Sequence, residues 1–169
     1  MPSTCDLTPK EFSDLAHAIW KECYSGIISD AQIDYMLGKF QSPEAIAEQI
    51  ADGYVYKAIT DGDAVCGYSA HVFLGGDCFV SKFYVSSPHR RRGLGSWRLS
   101  AIFEEAEAAG AGRVHLFVNK GNTGSVSFYE SLGMEVSDSV CVDIGGGFAM
   151  DDFVLEKRLP KGGKGKRGE

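Results

Sequence analysis

Three arginines and two glycines, Arg90-Arg91-Arg92-Gly93-Leu94-Gly95, stand between a segment that reads as a strand and one that reads as a helix. The first amides of such a helix have no partner inside it and lie at the positive end of its dipole. Glycine at 93 and 95 removes the Cβ atoms that would hold a bulky anion away from the backbone. The arginines add cationic donors beside those amides. This set suits the cradling of a pyrophosphate. Two familiar nucleotide cradles do not fit it. A dinucleotide-binding turn needs a third glycine where Arg98 stands, within an early β-α-β unit that carries an acidic ribose ligand. A P-loop needs Lys and Ser/Thr after its second glycine, and Gly95 is followed by Ser96-Trp97.

The elements that position this turn follow from periodicity. The first third reads as helical. Thr8 caps a helix with Pro9 at its first position and Phe12, Leu15, Ala16, Ile19 and Trp20 at three- and four-residue spacing. Ser29 with Gln32 opens a second helix in a capping-box pattern, and Ser42-Pro43 opens a third that Gly53 ends. The period then changes to that of strands. Segments 54–60 and 64–68 pair across Asp61-Gly62-Asp63, and a third strand runs from Cys78 to Val85. A long helix from about Gly93 to Ala109 precedes a strand at 113–118 and a helix at about 123–132. Two last strands, about 136–144 and 148–157, flank Gly145-Gly146-Gly147. This order predicts an α/β fold, one mixed and mostly antiparallel sheet of about six or seven strands with helices on both faces.

Length and composition bound the rest. The 169 residues, 44% hydrophobic and 24% charged, suit one domain with its own core. The net charge of −6 divides into +5 over residues 157–169 and −11 over residues 1–156. An acidic domain is a poor nucleic-acid binder and attracts cationic small molecules. Five scattered cysteines suggest neither a disulfide framework nor a metal site. No run reaches the roughly 20 apolar residues needed to span a bilayer. A cytoplasmic protein without nucleic-acid or membrane partners is expected. The glycine- and lysine-rich stretch 160–169 reads as a flexible basic tail.

Two segments together carry a family resemblance. Arg90-x-x-Gly93-x-Gly95 resembles the coenzyme A signature of the GNAT superfamily of N-acetyltransferases. Asn122-x-x-Ser125-x-x-Phe128-Tyr129-x-x-x-Gly133-Met134 resembles that superfamily's second conserved segment. One helix and one strand separate the two, as in the family, and the resemblance covers about residues 54–158. It implies a single N-acetyltransferase domain over residues 1–159, with a helical substrate side (1–53) and an acetyl-CoA-binding core (54–159). The helical first third and the end Gly147–Phe153 look like a bacterial branch that includes polyamine acetyltransferases.

The resemblance also implies a mechanism. Acetyl-CoA serves as cosubstrate, with its pantetheine arm against the backbone of Phe83, Tyr84 and Val85, where the sheet splays. The pyrophosphate lies on Arg90, Arg91, Arg92, Gly93, Leu94, Gly95 and Ser96, with Asn122 and Ser125 completing the cofactor site. Transfer to a primary amine is direct, a backbone N–H stabilises the oxyanion, and Tyr129 protonates the leaving thiolate. From composition alone, Tyr129 reads first as a buried aromatic, and the motif match turns that reading toward catalysis. Homodimers are common in the family.

The base and the acceptor stay open at this stage. Many relatives carry a Glu on the strand that here holds Ser81 and Lys82. A water chain, His71, Asp151 or Asp152 are the substitutes. Trp20, Tyr24 and Tyr35 with Asp30 and Asp34 would form a wall attractive to a cation, although Trp20 also continues the apolar stripe of its helix. The expected acceptor is a small cationic amine such as a polyamine. The alternatives are a protein N-terminus or lysine, or a noncatalytic CoA-binding regulatory role.

Overall fold

The computed structural model describes residues 1–160, so the 160–169 tail lies outside the described residues except for Pro160. In chain order the elements are β1 (Pro2–Cys5), α1 (Pro9–Tyr24), α2 (Asp30–Phe40), α3 (Pro43–Ala51), β2 (Val55–Asp61), β3 (Ala64–Leu74) and β4 (Asp77–Val85). After a 3-10 turn at Ser87–His89 come α4 (Leu94–Ala108), β5 (Arg113–Asn119), α5 (Thr123–Ser131), β6 (Glu135–Gly145) and β7 (Phe148–Arg158). The strands form one seven-stranded sheet in the order β1-β2-β3-β4-β5-β7-β6. The pair β4–β5 is parallel, which requires the α4 crossover, while β1–β2, β2–β3, β5–β7 and β6–β7 are antiparallel. The mixed sheet expected from the element order is therefore present, with β1 as an addition that periodicity does not show. No helix among the described residues is long and apolar enough to cross a membrane.

The chain divides into two compact units. The first holds Met1–His71 and Lys82–Trp97. Its helices begin where their caps predict. Thr8 and Glu11 make a full capping box, and Ser29 and Ser42 each accept the amide three residues on. The apolar stripe of α1 (Phe12, Ala16, Ile19, Trp20) is buried, and the Phe12 ring packs on Tyr56 of β2 and Tyr68 of β3. Trp20, Tyr68, Gln41 and Ser13 link their polar groups in this core. Trp20 Nε1 donates to Tyr68 Oη at 2.8 Å, Tyr68 donates to Gln41 Oε1 at 2.9 Å, and Ser13 donates to the Gln41 carbonyl at 2.6 Å. A bulge in the β2–β3 ladder at Ile59/Thr60 shifts the register beside Cys66 and Gly67.

The second unit holds Val72–Ser81 and the chain from Arg98 onward. Alternation along β5 buries Val114, Leu116 and Val118, and Leu99, Ile102 and Ala106 are the buried apolar residues of this part of α4. Arg113 fastens the start of the strands, donating to Asp77 at 2.9 Å and to Glu156 at 2.7 Å. The β4–β5 ladder has only two registered pairs, Cys78↔Val114 and Phe79↔His115, whereas β5–β7 has seven. Arg98 is buried in an ion pair with Glu105 at 3.6 Å.

Candidate active site

In the first unit, the turn after β4 is tied down at its start. The Ser86 amide donates to the Cys66 carbonyl at 2.7 Å, and the Ser87 amide donates to Glu22 Oε1 of α1 at 2.9 Å. Leu94 is buried and packs with Ile59, Cys66 and Val85, which fixes where α4 starts. The first bond of that helix runs from Trp97 N to Gly93 O at 2.9 Å. The amides of Leu94, Gly95 and Ser96 therefore precede it and are the orphan donors of the helix start. Gly93 is exposed at φ 77°, and a Cβ there would meet nothing within 4 Å. The approach to those amides is open.

The three arginines divide their work. Arg90 Nε donates to the Val85 carbonyl at 2.8 Å and its Nη2 donates to Cys23 Sγ at 3.1 Å, so Arg90 braces the end of β4 against α1. Burial raises the Cys23 thiol, with the Arg90 charge opposing, so Cys23 accepts that bond as a thiol. Arg92 lies 4.0 Å from Asp61. Arg91 has no hydrogen bond or ion pair among the described residues and holds φ 65°, the one positive φ at a non-glycine position among them. A side chain in that conformation costs on the order of 1 kcal/mol. Nothing within the described chain offsets it, which fits a guanidinium held ready for an anion.

Phe83, Tyr84 and Val85 close β4. The Tyr84 ring packs on Trp20 at 5.4 Å, Tyr24 at 6.2 Å and Tyr68 at 5.4 Å, and its hydroxyl meets that of Tyr24 at 3.1 Å. Burial is the largest cause holding the Tyr84 and Tyr68 phenols well above their ordinary range. The aromatic wall thus comprises Trp20, Tyr24, Tyr68 and Tyr84. The expected member Tyr35 instead has the Lys39 ammonium over its ring at 5.7 Å, and Asp34 pairs with Lys21 at 3.6 Å. Periodicity within one helix could not reveal a cluster assembled from α1, β3 and β4.

In the second unit, Asn122 is the N-cap of α5, and its Oδ1 accepts the Ser125 amide at 3.2 Å. That bond engages the Asn122 side-chain oxygen within the chain and leaves its Nδ2 hydrogens as the donors. Tyr129 is buried at 7% exposure with its ring edge-on to Phe128 at 5.3 Å. Gly133, at φ 94°, ends the helix, and Lys157 Nζ reaches the Leu132 carbonyl at 3.4 Å.

The Asp151–Asp152 pair separates by environment. Asp151 is exposed and bound to Lys120 at 2.9 Å. Asp152 is 4% exposed, and burial, then the Asp151 charge, push its carboxyl up to about 6 against the opposing Lys120. A carboxyl raised on folding favours the folded state below its unfolded value, and that contribution is lost as pH rises through about 6. Asp152→Asn is therefore expected to stabilise the protein at pH 7–8 by on the order of 2 kcal/mol, with the difference vanishing below about pH 4. Urea unfolding of both proteins across that range reads the effect directly. His71, the other candidate, is buried on β3, paired with Val55 and on the face opposite Tyr68.

Comparison with known proteins gives the family and the fold. The model of the acetyltransferase (GNAT) family matches residues 14–134. An L-ornithine N5-acetyltransferase of Arabidopsis thaliana is 33% identical over 58 residues, a match spanning 34% of this chain and a quarter of that protein. Among solved structures, the PaiA N-acetyltransferase of Thermoplasma acidophilum in complex with coenzyme A has a TM-score of 0.79 at 18% identity. That likeness covers 94% of this chain and 99% of the other. The ribosomal-protein-S18-alanine N-acetyltransferase of Escherichia coli has a TM-score of 0.68 at 17% identity, covering 98% of both chains. The fold is shared across both, and with a family model matched over most of its length, the chain belongs to the acetyltransferase (GNAT) family.

Proposed function

We propose that residues 1–159 form one N-acetyltransferase domain that moves an acetyl group from acetyl-CoA directly to the primary amine of a small acceptor. The observation that carries this reading is the start of α4. Orphan amides at Leu94, Gly95 and Ser96, an open Gly93 and an unpartnered, strained Arg91 together make a site for the pyrophosphate. The backbone of Phe83–Val85, at the end of β4, serves the pantetheine arm. Asn122 Nδ2 and the Ser125 hydroxyl contribute donors from α5, and Arg90 and Arg92 position the turn. Acetyl-CoA supplies the thioester. Tyr129 holds the proton that neutralises the departing thiolate. Asp152, with a proton affinity near neutrality, suits removal of the ammonium proton of the acceptor. Free cysteines throughout the chain fit a reducing, cytoplasmic setting.

Gly93→Glu tests the cradle. Its backbone would be strained and its carboxylate would stand beside the orphan amides, so acetyl-CoA affinity measured by calorimetry should fall at least 100-fold, a loss of about 3 kcal/mol. Affinity within threefold of wild type would remove the α4 start as the cofactor site. The acceptor class follows from a panel of polyamines, diamino acids and peptides. Polyamines are supported by the acidic charge of residues 1–156. Amino-acid side chains are suggested by the ornithine enzyme and protein N-termini by the ribosomal-protein enzyme.

A further inference from the structure

The strand β4 carries a cation with no carboxylate to meet it. Side chains alternate along a strand, so Lys82 shares a face with Tyr84, the face that packs against Trp20 and Tyr24 of α1. Three carboxylates of that unit are already engaged. Glu22 accepts the Ser87 amide, Asp34 pairs with Lys21, and Asp61 pairs with the N-terminal amine at 3.0 Å and with Arg92 at 4.0 Å. Lys82 itself has no hydrogen bond or ion pair among the described residues. Burial alone pushes its ammonium down to about 8, and no charged neighbour opposes that, so it remains mostly protonated at pH 7. A desolvated cation without a counter-ion is costly, and an arriving anion offsets the cost. The same cation repels a ligand that is positive at both ends.

We propose that Lys82 reads a carboxylate on the acceptor, so that the acceptor is an amino acid bearing a second, transferable amine rather than a polyamine. This rests on the acetyltransferase reading above and on α1 flanking the acceptor end. It reverses the charge logic drawn from overall composition. Net charge acts at long range and is screened by salt, whereas a partly buried ammonium acts at contact distance. The acetyl transfer is unchanged by it: the amine nitrogen bonds the acetyl carbon, the thioester C–S bond breaks, and the amine proton leaves to a base. Lys82 is a specificity-determining residue here.

Matched acceptors that differ only by the carboxylate test the idea. L-ornithine is compared with 1,4-diaminobutane, and L-lysine with 1,5-diaminopentane, on the full chain with acetyl-CoA saturating. Wild type should prefer the amino acid of at least one pair by tenfold or more in kcat/KM. Lys82→Met, with Lys82→Gln as a second variant, should lower that preference about 10–100-fold through the KM of the amino acid. Lys82→Arg should keep it. A wild-type preference for the diamines, activity confined to peptides, or a ratio unmoved by Lys82→Met overturns the inference while leaving the acetyltransferase reading intact. A loss of acetyl-CoA affinity in Lys82→Met also overturns it, by assigning the lysine to the cofactor. Failure of the wild-type chain to bind acetyl-CoA at all overturns the acetyltransferase reading and this inference together.

Discussion

Tyr129→Phe should lower kcat by about 10²–10⁴-fold while leaving the affinity for acetyl-CoA within twofold of wild type. The substitution removes one oxygen from a side chain at 7% exposure and keeps the ring that packs against Phe128. It opens no cavity larger than a hydroxyl, so the stability cost should stay at or below about 1.5 kcal/mol. The backbone duties of Tyr129 also survive, since its carbonyl accepts the amides of Leu132 and Met134, both at 3.1 Å. The split between kcat and binding is therefore the diagnostic. A general acid acts only as negative charge develops on sulfur, so its loss belongs to the transition state and not to the bound ground state. If steady-state rates with a good acceptor fall less than threefold, Tyr129 is a packing residue and another group protonates the thiolate. If binding and rate fall together, the phenol belongs to the cofactor site and not to the chemistry.

The distribution of what is legible in the sequence follows from how far each signal reaches. The caps at Thr8, Ser29 and Ser42 are contacts between residues three apart, and each side chain accepts the amide three residues on. The Gly62–Asp63 turn is likewise local and joins β2 to β3. The end of β3 is not legible. The strand signal stops at Tyr68, but the strand continues through His71 to Leu74 with residues 66–72 all buried. A strand covered on both faces loses the apolar–polar alternation that marks one. The short β1 has no such signal, because Pro2–Cys5 contains nothing apolar at alternate positions and owes its place to pairing with Cys5↔Ala58 and its neighbours.

The same distinction separates the parts of the candidate site. Glycines and helix starts are local, so the helix start at Gly93–Ser96, proposed here as the cradle, is legible from residue types and spacing alone. The individual arginines are not distinguishable in that way, since only tertiary contact assigns Arg90 to Val85 and Cys23 and leaves Arg91 without a partner among the described residues. The sequence offers Asp151 and Asp152 alike as substitute bases, whereas alternation on β7 exposes Asp151 and buries Asp152. Burial, not residue type, makes one of two identical carboxyls a titrating group near neutrality.

The largest stability effect is expected at a position with no chemistry of its own. Gly67 lies on β3 next to the bulge at Ile59/Thr60, where β3 comes close to the end of β4. A Cβ on Gly67 would run into the carbonyl oxygen of Tyr84, with the Val85 Cα 2.9 Å and the Tyr84 carbonyl carbon 3.0 Å away. These are backbone atoms and cannot swing aside as a side chain would. Relief requires moving β4, whose place here is held by the 2.7 Å bond from Ser86 N to Cys66 O and by the Arg90 brace on Val85. Gly67→Ala should therefore cost about 3 kcal/mol or more and lower the melting temperature by roughly 6–12 °C. Gly38→Ala supplies the contrast. It sits in α2 with nothing within 4 Å of its Cβ position and an ordinary helical φ, so alanine there should stabilise by about 0.5–1 kcal/mol. Because the displaced segment is the one proposed to bind the pantetheine arm, Gly67→Ala should also weaken acetyl-CoA binding in the fraction that remains folded, whereas Gly38→Ala should not. Thermal melts with and without acetyl-CoA separate the two effects, since a ligand that still binds restores part of the melting temperature by mass action. A Gly67→Ala protein that melts within about 2 °C of wild type, well short of the expected drop, would show that β3 and β4 have slack at this crossing, and would remove the close approach as a constraint on the site.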